Sequence, residues 1–183
     1  MTPTWRIDEA GEGDLPEVVT LLNEVAQRLR NRGIEQWALG WMTDARIRPA
    51  IMRGEVFVVR AAKGRIVATV LLTDVADADF WTPEEQQTKA LYVAKLARSD
   101  DHPGVGSWLL RWGVDYAARK GYSAVRLDAW ATNEGLHQYY RDRGWTHLRT
   151  MRVPGRRSGA LFEHEASPDP AVHEVFEEGI STR

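Results

Sequence analysis

Apolar side chains return every three or four positions from Asp14 to Gly33, placing Leu15, Val18, Val19, Leu22, Val25, Ala26 and Leu29 on one face of a helix. Asp14 and Glu17 stand at capping-box spacing, Pro16 falls in the first turn and Gly33 supplies the stop, so the segment predicts a long amphipathic helix. The preceding TWRIDEA predicts a strand. IEQWALGW then reads as a connector, and TDARIRPAIMRG as a weaker helical segment broken at Pro49. EVFVVRAA and RIVATVLLTD flank Lys63 and Gly64 as the arms of a hairpin. The second arm is apolar nearly throughout, the pattern of a strand covered on both faces.

VADADFWTPEEQQ is a loop in which Thr82, Pro83 and Glu85 can start one helical turn. Beyond it the pattern predicts the strand KALYVAKLAR, the helix VGSWLLRWGVDYAARKG with Trp108 and Trp112 toward the core, the strand AVRLDAWATN and the helix EGLHQYYRDRG. WTHLRTMRV and SGALFEHE close the pattern as an antiparallel pair across PGRR. This order mixes parallel and antiparallel connections, which predicts an α/β (α+β) class with helices on both sides of one mixed sheet. Residues 1–166 form a single domain in this reading. Residues 167–183 form a tail with an apolar patch of Ala171, Val172, Val175 and Phe176, and a homodimer contact there is one expectation.

Composition narrows the function. A chain of 183 residues suits one domain that buries about 70% of its unfolded surface. Its 24 Lys and Arg are interspersed with 26 Asp and Glu, so no basic stripe marks a nucleic-acid binder. Cysteine is absent, which removes disulfides and thiolate chemistry. The N-terminal residues lack a signal-peptide pattern, and the longest apolar run, IVATVLL, is too short for a bilayer. A soluble cytoplasmic protein that does not bind membrane is the expectation. The five histidines show no metal-ligand spacing, and Glu163, His164 and Glu165 read as an outward-facing strand end, so no metal is expected.

The stretch HPGVGSWLLRW sets Gly104 and Gly106 directly ahead of a helix. Such a turn exposes backbone N–H groups at the positive end of a helix dipole and suits an anion. A dinucleotide site would need a third glycine where Leu109 stands, and no Gly-Lys-Ser/Thr occurs. The two glycines either cradle a phosphate or merely shape a tight turn.

The following segment, LDAWATNEGLHQYYRDRGW, ends a strand on Asn133, places Tyr140 seven residues on and closes the helix at Gly144 and Trp145. With the glycine turn, the run from about Leu91 to Thr150 resembles the core of the GNAT acyltransferases, and the elements before it fit that family's order. The resemblance implies the GNAT fold, a central, mostly antiparallel sheet of about seven strands. It also implies transfer of an acetyl group from acetyl-CoA, or another acyl-CoA, to a primary amine of a small molecule.

Residue roles follow from the same resemblance. The N–H groups of Gly104, Val105, Gly106 and Ser107 would hold the pyrophosphate, and the backbone of Leu96, Ala97 and Arg98 would run beside the pantetheine arm. A backbone N–H near Leu96 would stabilise the oxyanion, a contribution of roughly 2.7–4 kcal/mol. Asn133 and Tyr140 would complete the cofactor site, and the Tyr140 phenol would protonate the leaving thiolate. Tyr140 is otherwise a core aromatic beside Tyr139. Asp128, which alternates with Arg126, Trp130 and Thr132, either acts as the base or pairs with Arg126. Tyr92 and Glu35 are weaker candidates for the base. Trp37 and Trp41 fall where the family commonly lines its acceptor pocket, joined by Tyr92, Asp128 and Trp130; alternatively the two indoles form a helical face in the core.

One position departs from the family. Asp101 stands where the loop normally carries Gln or Arg, and an exposed carboxylate about 4 Å from a pyrophosphate would repel it by roughly 1 kcal/mol. Arg98 could supply the missing positive charge. A protein, peptide or aminoacyl-tRNA-dependent acyltransferase and a non-catalytic acyl-CoA-binding module are the alternatives.

Overall fold

The structure is a computed structural model that describes residues 5–34 and 36–172. Its strands are β1 (Arg6–Glu9), β2 (Val56–Arg60), β3 (Ile66–Thr73), β4 (Ala90–Arg98), β5 (Ala124–Trp130), β6 (Thr146–Thr150) and β7 (Ser158–Glu165). The helices are α1 (Leu15–Asn31), α2 (Asp44–Met52), α3 (Val105–Arg119) and α4 (Glu134–Arg141). One seven-stranded mixed sheet has the order β1-β2-β3-β4-β5-β7-β6. The chain divides into two compact units: the described residues up to Leu72 with Lys95–Trp112 and those from Asp169 on, and Thr73–Ala94 with Gly113–Pro168.

In the first unit, α1 buries Leu15, Val18, Leu22, Val25 and Ala26 of the predicted stripe, with Leu21 added, whereas Val19 and Leu29 are only partly buried. Gly33, at φ 76°, donates to the Arg30 carbonyl, and Ile34 donates to Leu29, which ends the helix as expected. The helix start differs from the capping-box expectation. A 3-10 turn over Glu12–Asp14 precedes it, and Asp14 accepts from the Gly11 N–H at 2.9 Å instead of capping α1. Glu17 is drawn away to accept from the Ile66 N–H at 2.8 Å.

Pro49 does not break α2. It sits inside the helix, where its ring costs one N–H bond, while burial of Ile47, Ala50 and Ile51 holds the segment. β1, β2 and β3 pair antiparallel, and the hairpin turns at Lys63 and Gly64, both at positive φ (66° and 81°). Trp112 is fully buried against Phe57, ring centroids 5.0 Å apart, whereas Trp108 is only half-buried beside Trp5. Asp169 is held by Arg111 at 2.6 Å and Val172 is buried, so the described part of the tail is anchored within this unit. Val175 and Phe176 lie outside the described residues.

In the second unit, β4 and β5 run parallel over four pairs, from Ala90 opposite Ala124 to Val93 opposite Leu127. β7 pairs antiparallel with both β5 and β6, as the two closing segments predict. Two single-residue bulges shape this end of the sheet. Leu148 is the extra residue between His147 and Arg149, and Gly159 is the extra residue opposite the step from Ala129 to Trp130. Phe80, Trp81, Tyr92, Ala124 and Leu161 form a core over one face, so the loop before β4 is a packed cover.

Gly159 sits at φ 152°, and a Cβ there would fall inside the van der Waals shell of the Met151 carbonyl oxygen. That contact is with backbone, which cannot rotate away. Gly159→Ala is therefore expected to cost at least about 2 kcal/mol, measured by urea unfolding, because relief requires undoing the bulge. An unchanged midpoint would show that the bulge tolerates a side chain.

Candidate active site

The glycine turn has the geometry its sequence demands. Gly104 is at φ 88°, and the first helical bond of α3 runs from the Trp108 N–H to the Gly104 carbonyl at 3.0 Å. The amides of Val105 and Gly106 thus precede the helical ladder. A Cβ on Gly106 would meet Arg98 Cδ at 3.4 Å, so the arginine stem lies on the first turn of α3. β4 is broken by Lys95 at φ 50°, immediately before Leu96, Ala97 and Arg98. The Arg98 carbonyl is occupied, accepting from Arg28 at 2.6 Å.

The acidic departure at Asp101 is compensated. Its carboxylate accepts from His102 Nδ1 at 2.9 Å and from Arg65 at 2.6 Å, and hydrogen bonds from His102, Ser99 and Arg65 hold it well below the usual carboxylate range. Asp100 is shared by Arg28 at 3.1 Å, Arg32 at 3.4 Å and Arg98 at 3.8 Å. Four guanidiniums, Arg28, Arg32, Arg65 and Arg98, therefore meet two carboxylates around this turn, a surplus suited to an anion. Of the four only Arg98 lies near the turn in sequence; Arg28 and Arg32 come from α1 and the residue just past it, and Arg65 immediately precedes β3.

Trp37 and Trp41 lie in a non-helical connector, so their four-residue spacing is not a helical face. Trp41 is 50% exposed and carries the Arg46 guanidinium 3.7 Å from its ring centroid. Glu35 lies outside the described residues.

In the second unit the expected pairing of Asp128 with Arg126 does not form. Arg126, 4% exposed, donates to Glu163 at 2.7 Å, to the Glu85 carbonyl at 2.7 Å and to the Tyr92 hydroxyl at 3.2 Å. The cause is register. Glu163 is directly opposite Arg126 on β7, and Tyr92 is opposite it on β4. Glu163 accordingly points at this buried charge instead of outward, correcting the expectation for the strand end. Tyr92 is buried in the same network, edge-on to Trp81 at 5.6 Å.

Asp128 has other neighbours. Burial pushes its carboxyl above the ordinary range, opposed by a hydrogen bond with Ser158 and by the charge of Arg156, and reinforced by the charge of Asp77. Tyr140 is buried against Phe162, ring centroids 5.3 Å apart, with Trp145 at 5.9 Å. Burial pushes its phenol well up, with added contributions from Tyr139 and the charge of Asp128. Asn133 caps α4, its Oδ1 accepting from the Leu136 N–H at 3.0 Å. Buried His137 donates from Nε2 to the Trp130 carbonyl at 2.7 Å and pins α4 to the end of β5. His137 lies one helical turn before Tyr140, a spacing that the sequence carries; its partner, the Trp130 carbonyl, is not legible there.

A cavity of about 430 Å³ opens beside the end of β5. Trp130 lines it, with Met151, Arg152, Arg156, Arg157 and Ser158 among the other walls. Among the described residues no group of three or more His, Cys, Asp or Glu could hold a metal ion, and no helix is long and apolar enough to cross a membrane.

The acetyltransferase (GNAT) family matches residues 22–145, more than half of the chain. The chain belongs to the GNAT family. This GNAT N-acetyltransferase is 28% identical over 141 residues to an uncharacterized N-acetyltransferase, YesJ, of Bacillus subtilis (strain 168), covering 72% of this chain and 76% of that one. Its fold is similar to a GNAT-family acetyltransferase from Listeria monocytogenes 4b F2365, with TM-score 0.76 and 19% identity over 90% of this chain and 98% of that one. It is also similar to the spermidine N-acetyltransferase of Vibrio cholerae in complex with CoA and spermine, with TM-score 0.61, 13% identity, and 89% and 96% coverage.

One ion pair in the acetyltransferase can be tested directly. Arg149 donates to both Glu85 carboxylate oxygens, at 2.6 and 2.8 Å, and this bond, opposed by burial and aided by the Thr82 N–H, lowers the Glu85 carboxyl from 4.5 to about 2. A carboxylate with a depressed pKa contributes stability that is complete above 4.5 and lost as pH falls through about 2. In Arg149→Ala the Glu85 titration, followed by carboxyl carbon NMR, is expected to return toward 4.5. A midpoint that stays near 2 would show that Arg149 is not the cause.

Proposed function

We propose that the acetyltransferase moves an acetyl group from acetyl-CoA, or another acyl-CoA, to the primary amine of a small molecule by direct attack in a ternary complex. The observation that carries this reading is the buried Tyr140 phenol, held protonated within electrostatic reach of an Asp128 carboxyl that is itself pushed up. Such a phenol keeps a proton to give, and such a carboxylate is a stronger base than an exposed one.

Each further role rests on local geometry. Gly104, Val105, Gly106 and Ser107 form the turn that opens α3, and the surrounding surplus of guanidiniums fits a pyrophosphate. Leu96, Ala97 and Arg98 offer backbone to the pantetheine, and an N–H near Leu96 stabilises charge building on the thioester oxygen. Acetyl-CoA supplies an acetyl group already activated as a thioester. Asp128 takes the proton that the attacking amine must lose, and Tyr140 protonates the departing sulfur. Trp130 belongs to the acceptor side because it lines the cavity together with Ser158, the hydrogen-bond partner of Asp128. Asn133, which caps the Tyr140 helix, positions that helix.

Two variants test the assignment. Tyr140→Phe is expected to lower kcat for thiol release about 100-fold or more while leaving the thermal midpoint near that of the parent. An undiminished rate would remove Tyr140 from the chemistry, and no release against any amine in either protein would favour a non-catalytic acyl-CoA binder.

Asp128→Asn tests the base through pH. Asp128 must be ionised to accept a proton, so the parent rate falls as pH drops through its raised pKa, above the ordinary 3.8. In Asp128→Asn that acid limb is expected to vanish together with most of the rate. An unchanged profile would assign the base elsewhere.

A further inference from the structure

Asp128, the proposed base, does not border the space that the acceptor would fill. Among the described residues, no carboxylate lines the cavity beside β5. A proton on an amine in that cavity therefore reaches Asp128 through whatever hydrogen-bonding group stands between them. Such a group must accept one proton while giving up another, which few of the lining side chains can do. The guanidiniums of Arg152, Arg156 and Arg157 carry donors alone, as does the indole of Trp130. Ser158 and Thr132 bring hydroxyls, which both donate and accept.

Register decides between the two hydroxyls. Ser158 stands directly opposite Trp130 across β5 and β7, and opposed residues share a face of the sheet. Asp128, two residues before Trp130 on β5, shares that face as well. Thr132 lies beyond the end of β5. The Ser158 side chain is hydrogen-bonded to Asp128, and because the bond favours the ionised carboxylate, the hydroxyl donates and Asp128 accepts. With its one proton turned to Asp128, the Ser158 oxygen has lone pairs to offer a ligand, and a lone pair suits an amine N–H. Arg156, whose charge also acts on Asp128, is itself held by Asp77 at 2.6 Å and Asp79 at 3.0 Å.

We infer that the Ser158 hydroxyl relays the proton of the acceptor amine to Asp128. This rests on the reading of Asp128 as the base and adds the group through which that base acts. As the amine nitrogen bonds to the acyl carbon, one of its N–H bonds breaks, the electron pair stays on nitrogen and the proton goes to Ser158 Oγ. The original Oγ–H bond breaks in turn, and its proton goes to an Asp128 carboxylate oxygen. Ser158 ends neutral as it began, Asp128 ends protonated, and the carbon–sulfur pair leaves with the thiolate that Tyr140 protonates.

The test uses whichever of phenethylamine, L-phenylalanine, L-glutamate and spermine the parent acetylates fastest; acetylation of no amine at all would sink the transfer reading and the relay with it. Ser158→Ala is expected to lower kcat about tenfold or more with little change in the KM of the amine, and Ser158→Thr, which keeps the hydroxyl, to recover most of the rate. A full kcat in Ser158→Ala beside a lost one in Asp128→Asn would overturn the relay and leave Asp128 as the base. A full kcat in Asp128→Asn would overturn the base and the relay together. A rise in KM alone would make Ser158 an amine-binding residue, and a folded Ser158→Thr as slow as Ser158→Ala would assign the loss to packing; either overturns the relay. A crystal structure of the parent with CoA and the same amine needs no variant to fold: the amine nitrogen is expected within hydrogen-bond reach of Ser158 Oγ, and a nitrogen that contacts Asp128 directly would overturn the inference.

Discussion

A guanidinium that is 4% exposed must find partners inside the protein, because taking that charge out of water costs several kcal/mol if it is left unpaired. Arg126 finds them on three segments: Glu163 on β7, the Tyr92 hydroxyl on β4 and the Glu85 carbonyl in the loop before β4. Trp81 covers the charge, its ring centroid 4.9 Å from the guanidinium carbon. Glu85 in turn grips Arg149 on β6, so four strands and the covering loop share one network. With Arg126 committed, Asp128 two residues further along the same face is left to Ser158 and Arg156. The neighbours of the proposed base are thus the groups that Arg126 does not engage.

The two bulges set which side chains reach that face. Opposed residues across an antiparallel pair share a face, and one inserted residue reverses everything beyond it. Without the extra Leu148, residue 148 would lie opposite Leu161 and Arg149 would turn to the other side, away from Glu85. Without the extra Gly159, Ser158 would not come opposite Trp130 at the cavity wall. Glycine is suited to the second bulge because the Met151 N–H donates to the Gly159 carbonyl at 2.8 Å and leaves no room for a Cβ.

The order of elements was legible in the sequence because periodicity and turn residues are local signals. The α1 stripe, Gly33, the Lys63–Gly64 turn, the glycine turn before α3 and the Asn133 cap all depend on neighbours within a few positions. What stayed hidden depends on pairing at long range. Arg126 and Asp128 are adjacent on one strand face, yet Arg126 is claimed by Glu163, 37 positions away, and register between β5 and β7 cannot be read from either strand alone. Glu17 was lost to the Ile66 amide for the same reason, and the compensation of Asp101 by Arg65 spans 36 positions. Pro49 stays within α2 because burial of Ile47 and Ile51, which depends on distant neighbours, outweighs one missing hydrogen bond.

Asp128 and Tyr140 illustrate how one physical effect serves two opposite tasks. Register places Asp128 opposite Leu161, on the face carrying Trp81 and Tyr92, while the Tyr140 ring packs on Phe162, one residue along β7 and on the opposite face. In the proposed reaction that separation is useful, because an amine gives up its proton on one side of the acyl carbon as a thiolate gains one on the other. Burial raises both groups. For the phenol, the shift keeps the proton in place until sulfur carries negative charge; for the carboxylate, it increases the affinity with which the proton of the amine is taken. The charge on Asp128 also lifts Tyr140 further, so ionisation of the base secures the protonation of the acid. Burial of one strand end and one helix therefore raises both groups together.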